Sequence, residues 1–179
     1  FDAAGAKIGA PTRVSVADAC NTCHASEHQG RVLGLADGGW IVMFADSGND
    51  GSGEGLYARR YDASGALVGG TSADGTASAG SWRVNLQTVH DQYMKYQGMA
   101  QLADGGFVIT FTSNHSDQSG LAVWAQVYNA DGTLRAPQFR VNGGQYGTQA
   151  DASIAALADG SFVVVWISEQ ADAYDGQDV

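Results

Sequence analysis

The chain has 179 residues, of which 44% are hydrophobic, a composition that excludes an intrinsically disordered protein and suffices for a packed core. Its formal net charge of −10 argues against nucleic acid as a partner and against binding to anionic membrane surfaces. No apolar run reaches the length of a membrane span, so membrane insertion is not expected.

The residue types favour strands and turns over helices. The chain contains 25 Gly and only 2 Pro, and 16 of its 19 acidic residues are Asp. Asp and Gly are turn residues, whereas Glu, the better helix former, is scarce. The composition therefore predicts an all-β fold made of many short strands joined by tight turns.

Four sequence elements recur along the chain. An aromatic-acid/amide-Ala-x-Gly element occupies residues 1–5, 61–65 and 128–132. An Arg-Val-Asn or Arg-Val-Ser element occupies residues 13–15, 83–85 and 140–142. A Leu-Ala-Asp-Gly element begins at Leu35, Leu102 and Leu157, and an apolar run follows it at 40–44, 107–111 and 162–166. A Tyr-Ala-Arg-like element occupies residues 55–59 and 121–125.

Each copy is predicted to form four antiparallel strands. The Arg-Val-Asn strand comes first, the strand ending at Leu-Ala-Asp-Gly second, the apolar run third and the Tyr-Ala-Arg strand fourth. Asp-Gly between two apolar runs is a strong hairpin signal. The third strand is apolar at consecutive positions and should be buried on both faces, whereas the fourth alternates as an outer strand would.

Four antiparallel strands per repeat predict a β-propeller-like array of three blades, which form an incomplete ring. The predicted blades are residues 1–60, 61–127 and 128–179, and the third is truncated. Tandem β-sandwiches or a stacked β-solenoid are the alternatives. Because a closed propeller needs about 4–8 blades, the partners expected are other blades of a longer parent chain or neighbouring copies, and the first is the favoured interpretation.

The order Leu-Ala-Asp-Gly-Gly-Phe-Val, Tyr-Ala-x-Arg-Tyr-Asp-Ala-x-Gly and Arg-Val-Asn resembles the repeats of large bacterial RTX-related, haemolysin-type calcium-binding proteins. The resemblance covers nearly the whole chain. It implies a parent protein that is secreted or attached to the cell surface in a calcium-rich setting, and it does not imply an enzyme. The Gly-Gly-x-Gly-x-Asp nonapeptide of calcium rolls is absent here.

The segment Cys20-Asn-Thr-Cys23-His24 matches the attachment motif of c-type haem. Two thiols at this spacing reach the two vinyl groups of one haem, and the adjacent His24 could ligate the iron. His90 or Met94, in the corresponding loop of the next copy, could supply the distal ligand. The alternatives are a disulfide that pins a loop in an oxidising compartment, or a metal clip.

The loop after the first apolar run offers three carboxylates, those of Asp46, Asp50 and Glu54. Calcium prefers six to eight oxygen ligands on a flexible loop, so these residues are a candidate calcium site. The alternative is a long, Gly-rich hairpin connection with no ligand.

The pattern contains no phosphate-binding loop, HExxH motif or nucleophile–base set, so an enzyme is not expected. The recurring Asp37, Asp104 and Asp159 are interpreted as turn residues. The predicted function is a non-enzymatic extracellular structural, adhesion or ligand-binding module of a large secreted bacterial surface protein, with calcium as a stabilising ion. The alternative is a c-type cytochrome module that carries one covalent haem for extracellular electron transfer.

Overall fold

The computed structural model describes residues 3–12, 14, 27–47, 50–96, 98–114, 120–143 and 147–169. In these residues the regular structure is entirely β, with no helix, and no sheet closes into a barrel. The prediction of an all-β fold is therefore confirmed. No helix suitable for crossing a membrane occurs in the described part of the chain.

The strands follow one another along the chain in three main sheets and one small ribbon. In chain order they are β1 Glu27–Gly34, β2 Trp40–Ser47, β3 Glu54–Tyr61, β4 Leu67–Val68, β5 Gly70–Thr71, β6 Ala77–Ser78, β7 Trp82–Arg83, β8 Gln92–Tyr93, β9 Met99–Gln101, β10 Phe107–Asn114, β11 Leu121–Tyr128, β12 Phe139–Arg140, β13 Thr148–Ala156 and β14 Phe162–Glu169. Sheet I contains β1, β2, β3, β4 and β7; sheet II contains β8 to β12; sheet III contains β13 and β14. Strands β5 and β6 form the ribbon, and every pairing is antiparallel.

The Leu-Ala-Asp-Gly element forms the same tight hairpin in each sheet. In the first, Leu35 donates its N–H to the carbonyl of Gly39 at 2.8 Å and accepts from the N–H of Gly38 at 3.0 Å. Gly38 has φ 84°, a left-handed conformation that suits glycine. Asp37 accepts the N–H of Gly39 through Oδ1 at 2.9 Å. The same bonds recur in the turns that begin at Leu102 and Leu157. The interpretation of the three Asp residues as turn residues is confirmed.

The Arg-Val-Asn segment lies at the outer edge of the preceding sheet, so the predicted strand order is wrong in this respect. Trp82 of β7 pairs with Ala58 of β3, and Phe139 of β12 pairs with Ala125 of β11. Strands β3 and β11 are therefore flanked on both sides. The physical reason is a side-chain bond: Asn85 accepts the N–H of Leu56 through Oδ1 at 2.8 Å and extends the ladder of β3.

The β5–β6 ribbon accounts for most of the unequal repeat spacing, which is 67 residues between Leu35 and Leu102 and 55 between Leu102 and Leu157. In sheet I the chain leaves β4, forms the ribbon and returns as β7, whereas in sheet II a single bridge between Tyr128 and Leu134 leads almost directly to β12. The ribbon also contacts sheet II, because Thr71 donates its N–H to the carbonyl of Gly132 at 3.0 Å.

The three main sheets pack face to face in chain order, and two apolar clusters fill the interfaces. The first cluster lies between sheets I and II and includes Ile41, Met43, Leu56, Trp82, Met99, Phe107, Ile109, Phe111 and Tyr128. The second lies between sheets II and III and includes Leu102, Val108, Ala125, Val127 and Ile154, with Phe162 and Val164 packed against it. We call the face of a sheet that points toward the next sheet along the chain its following face, and the opposite face its preceding face.

Burial on both faces, predicted for each apolar run, is confirmed for β10 and wrong for β14. Strand β10 is buried from Phe107 to Ser113, since sheets I and III cover its two faces. On β14, Val163 and Val165 are exposed, because no sheet of the described residues packs on the following face of sheet III. In β2 burial alternates only from Trp40 to Met43, where the preceding face is partly covered, and it is continuous from Met43 to Asp46.

Replacing Gly70 with Ala is expected to lower the free energy of unfolding by about 1–3 kcal/mol, the usual cost of overpacking. A Cβ at Gly70 would come within 2.5 Å of the indole of Trp82, which is fully buried and cannot move aside. Gly80 is the matched control, because a Cβ there meets nothing within 4 Å. Urea unfolding of both variants checks this. An equal loss at the two positions would contradict the packing argument.

Candidate functional site

The predicted haem-attachment residues Cys20, Cys23 and His24 lie outside the described residues. The segment that carries them leads into β1. The backbone of Glu27, the first residue of β1, pairs with Asp46. Strand β1 therefore begins at the end of sheet I where β2 finishes and β3 begins. Covalent haem stays a prediction.

The two proposed distal ligands lie in different environments. His90 is exposed in the loop that joins β7 to β8, with φ 64°. Met94 is only 2% exposed and belongs to the apolar cluster between sheets I and II. Its thioether lies against Gly98, where an added Cβ would meet the sulfur. Gln92 of β8 and Met94, which directly follows that strand, are both buried, so Met94 contributes to packing, while His90 remains on the surface.

The candidate calcium ligands lie around the β2–β3 connection. Asp46 is buried near the end of β2, and Glu54 begins β3 opposite Ser47. The carboxylate of Asp50 accepts the N–H of Ser52 at 3.2 Å. Among the described residues, no group of three or more His, Cys, Asp or Glu side chains is arranged to hold a metal ion. Calcium binding at Asp46, Asp50 and Glu54 therefore stays a prediction.

A buried amide pair closes the same end of the interface between sheets I and II. Asn85 and Gln92 are both fully buried, and Asn85 Nδ2 donates to Gln92 Oε1 at 2.8 Å. Gln92 Nε2 in turn donates to the carbonyls of Val89 at 3.1 Å and His90 at 3.0 Å. Asn85 also donates to Asp50 Oδ2 at 3.3 Å. We call this pair the Asn–Gln bracket, since it joins the outer strand of one sheet to the first strand of the next.

The same residue types occupy the corresponding junction between sheets II and III. Asn142 accepts the N–H of Val123 through Oδ1 at 2.9 Å, as Asn85 does from Leu56. Gln149 pairs with Ser168 in the ladder, as Gln92 pairs with Ser113. Sequence reasoning missed the bracket, although a signal was present: Arg-Val-Asn is followed by Gln at the same interval in both copies, as Asn85…Gln92 and Asn142…Gln149.

The second junction is more open than the first. A shallow groove of about 410 Å³ lies between sheets II and III, and its lining includes Asn142, Gln149, Trp166 and Ser168. Trp166 donates its indole N–H to Gln149 Oε1 at 3.0 Å and is 37% exposed. The described lining holds amides, a hydroxyl and an indole but no titratable acid–base pair. Val164 and Val165 also line the groove and make it largely apolar.

Electrostatics distinguish the β2–β3 end of sheet I from the rest of the surface. Burial, followed by the negative charges of Asp50 and Asp46, raises the pKa of Tyr57 to about 12, and Arg83 partly offsets this rise. The phenol hydroxyl of Tyr57 thus reports on the carboxylates predicted to bind calcium.

Between pH 10 and 12 the protein is expected to lose stability as Tyr57 ionises. The folded-state pKa of about 12 lies above the ordinary tyrosine pKa of 10.0, so the stabilisation is complete below pH 10 and is lost as the pH rises through 12. Titration of tyrosinate absorbance should show one group near pH 12 that the Tyr57→Phe variant lacks. An unchanged titration curve in that variant would contradict this assignment.

The chain was compared with known proteins at three levels. No protein-family model, no curated protein and no solved structure matches it.

Proposed function

We propose that this chain is part of a β-propeller-like array that serves as a non-enzymatic structural, adhesion or ligand-binding module of a large secreted bacterial surface protein. The observation that carries the proposal is the face-to-face packing of three consecutive sheets. All three contain the same turn, and sheets I and II also share the same outer-strand bond. Such arrays extend by adding neighbours, and their surfaces serve recognition more often than chemistry. The RTX-like sequence pattern supports the extracellular setting.

Deletion of residues 27–169 from the gene in the producing bacterium tests the module's role. Surface attachment or assembly of the parent protein should fall, while secretion of other proteins should not change. The matched control is a strain that carries the conservative exposed substitution Leu86→Ala in the same gene. Normal attachment and surface structure after the deletion would overturn the proposal.

Calcium is proposed as a stabilising ion at Asp46, Asp50 and Glu54. The temperature of unfolding should rise by at least about 3 °C in Ca²⁺ relative to a chelator, which for this size corresponds to about 1 kcal/mol. Asp50→Asn should abolish the rise, whereas Asp131→Asn, in a turn of sheet II, should keep it. Ca²⁺ should also lower the pKa of Tyr57, because a cation would compensate the charge of Asp50. The same unfolding temperature with and without Ca²⁺ would rule out this site.

The alternative function is a c-type cytochrome module with one covalent haem at Cys20 and Cys23. The observation that favours it is the haem-attachment motif in a segment that leads into the end of the fold where His90 lies. An absorption spectrum of natively produced protein, oxidised and then reduced with dithionite, should show a Soret peak and sharp reduced bands. A flat visible spectrum would leave Cys20 and Cys23 as a disulfide or a metal clip.

A further inference from the structure

Sheet III exposes an apolar stripe on its following face. The stripe consists of every second residue of β14 from Val163 to Ile167, together with the leucine that begins the hairpin before β14. Its members, with their exposed fractions, are Leu157 at 43%, Val163 at 48%, Val165 at 65% and Ile167 at 50%. Four large apolar side chains at this exposure form one contiguous patch, which is unusual unless a partner covers it.

The other two sheets show what covers these positions. The residues at the same repeat positions are Leu35, Ile41, Met43 and Ala45 in sheet I, and Leu102, Val108, Thr110 and Thr112 in sheet II. All eight are buried, because the preceding face of the next sheet packs on them. The repeat pattern therefore indicates what should pack on the following face of sheet III. It is the preceding face of another sheet of the same type.

The two sides of the internal interfaces differ in chemistry. On strands β2 and β10 the following-face side chains are aliphatic or small, such as Ile41 and Val108, while the preceding faces of sheets II and III carry aromatic rings. The rings are Phe107, Phe111 and Tyr128 on sheet II, and Phe162 and Trp166 on sheet III. Trp82 of β7 is the aromatic exception, on the following face of sheet I. This division of residue types makes each interface directional.

Sheet I offers the matching surface at the other end of the chain. Its preceding face carries Trp40 and Phe44, which stack on Tyr61 and Tyr57 at ring-centroid distances of 5.3 Å and 6.2 Å. Val32 pairs with Val42 on this face and is 61% exposed. The aromatic stripe lies where Phe107 and Phe111 lie in sheet II, and no described sheet packs on it. Phe44 and Tyr61 are buried within the single copy, so its accessible part consists of Val32 and the half-buried Trp40 and Val42.

We propose that the following face of sheet III binds the preceding face of sheet I of a second copy, head to tail. This rests on the proposed array, because it continues the interfaces that already join sheets I, II and III. The contact is heterologous, so repeated rotation between copies gives either a ring or an open filament.

The proposal predicts association of the 179-residue chain that depends on concentration, which sedimentation or light scattering measures. Val165→Glu at one face and Val32→Glu at the other should each weaken it by at least about tenfold, since each buries a charge at the contact. Both positions are exposed in the single copy, so both variants should fold, and circular dichroism checks this. Leu86→Glu, at a 51% exposed position on neither stripe, is the control.

Mixing the two variants gives the sharpest test. Each retains one intact face, so a mixture of Val165→Glu and Val32→Glu should recover a heterodimer, while each alone stays monomeric. Recovery requires a head-to-tail contact, because a contact between identical faces would remain broken. A chain that is monomeric at all concentrations, or variants that fail to rescue each other, would overturn the second-copy proposal. The proposed array function is tested separately, by deleting residues 27–169 and measuring surface attachment of the parent protein.

Discussion

Replacing Trp82 with Ala is expected to lower the free energy of unfolding by about 3–5 kcal/mol, the usual cost of removing a large buried aromatic side chain. Trp82 is only 1% exposed and lies between sheets I and II. Its indole packs edge-to-face on Tyr128 at a centroid distance of 6.0 Å and an interplanar angle of 62°. The cavity could not collapse easily, because backbone surrounds it at Gly70.

Trp166→Ala is the matched control for that measurement. Trp166 lies on the last sheet and is 37% exposed, so its removal leaves an enlarged groove in place of a closed cavity. The Trp166→Ala variant should lose less than about half of the free energy of unfolding that the Trp82→Ala variant loses. Urea unfolding followed by far-ultraviolet circular dichroism compares the two, and equal losses would contradict the assignment of Trp82 to the main core.

The second large effect is expected at the Asn–Gln bracket. Asn85→Ala should cost about 2–4 kcal/mol, because it leaves the N–H of Leu56 and the Oε1 of Gln92 without their bonds, and each such buried group costs about 1–3 kcal/mol. The two bonds are both 2.8 Å long. Because the bracket joins two sheets, its loss should also loosen the loop around His90.

A double-mutant cycle between Asn85 and Gln92 isolates the bracket itself. The two Ala substitutions should be non-additive by about 1 kcal/mol, as expected for side chains in one hydrogen-bonded network. Asn129→Ala is a control, since this turn amide donates to Thr133 Oγ1 at 3.0 Å and accepts from Arg135 Nε at 3.1 Å, and neither bond involves the bracket. Strictly additive losses at Asn85 and Gln92 would show that the two amides act independently.

The parts of the fold that could be predicted are those encoded by local sequence. The all-β class and the three hairpins at Asp37, Asp104 and Asp159 follow from turn chemistry that each segment carries by itself. The position of the Arg-Val-Asn strand could not be predicted, because a strand of two residues has almost no pattern. Its partner is selected by a tertiary bond, from Leu56 to Asn85.

The candidate sites show the same difference between features encoded by local sequence and features that depend on tertiary contacts. The sequence predicts Met94 as an iron ligand from its residue type, whereas the burial of Met94 directly after the two-residue strand β8 depends on tertiary packing that no local pattern reveals. Asn85 and Gln92 carry no charge and match no known motif, so only their repeated interval could have drawn attention to them. The sequence alone identifies the carboxylates of Asp46, Asp50 and Glu54 as candidate calcium ligands. Their proximity in the sequence does not specify the directions in which their oxygens point.

The β5–β6 ribbon has a consequence for how such a chain can diversify. The ribbon is inserted at the outer edge of sheet I, between β4 and β7, which both pair with β3. The pairing of β3 with β2 on its other side continues without a change of register. Sheet II reaches the same outer pairing without such an insertion. Lengthening at the exposed tip of the ribbon, at Asp74 and Gly75, therefore leaves the contact of Gly70 with Trp82 in place and alters neither the stacked faces nor the turns. It is the natural place for individual copies to acquire new surface loops, and a suitable point at which to graft a foreign peptide.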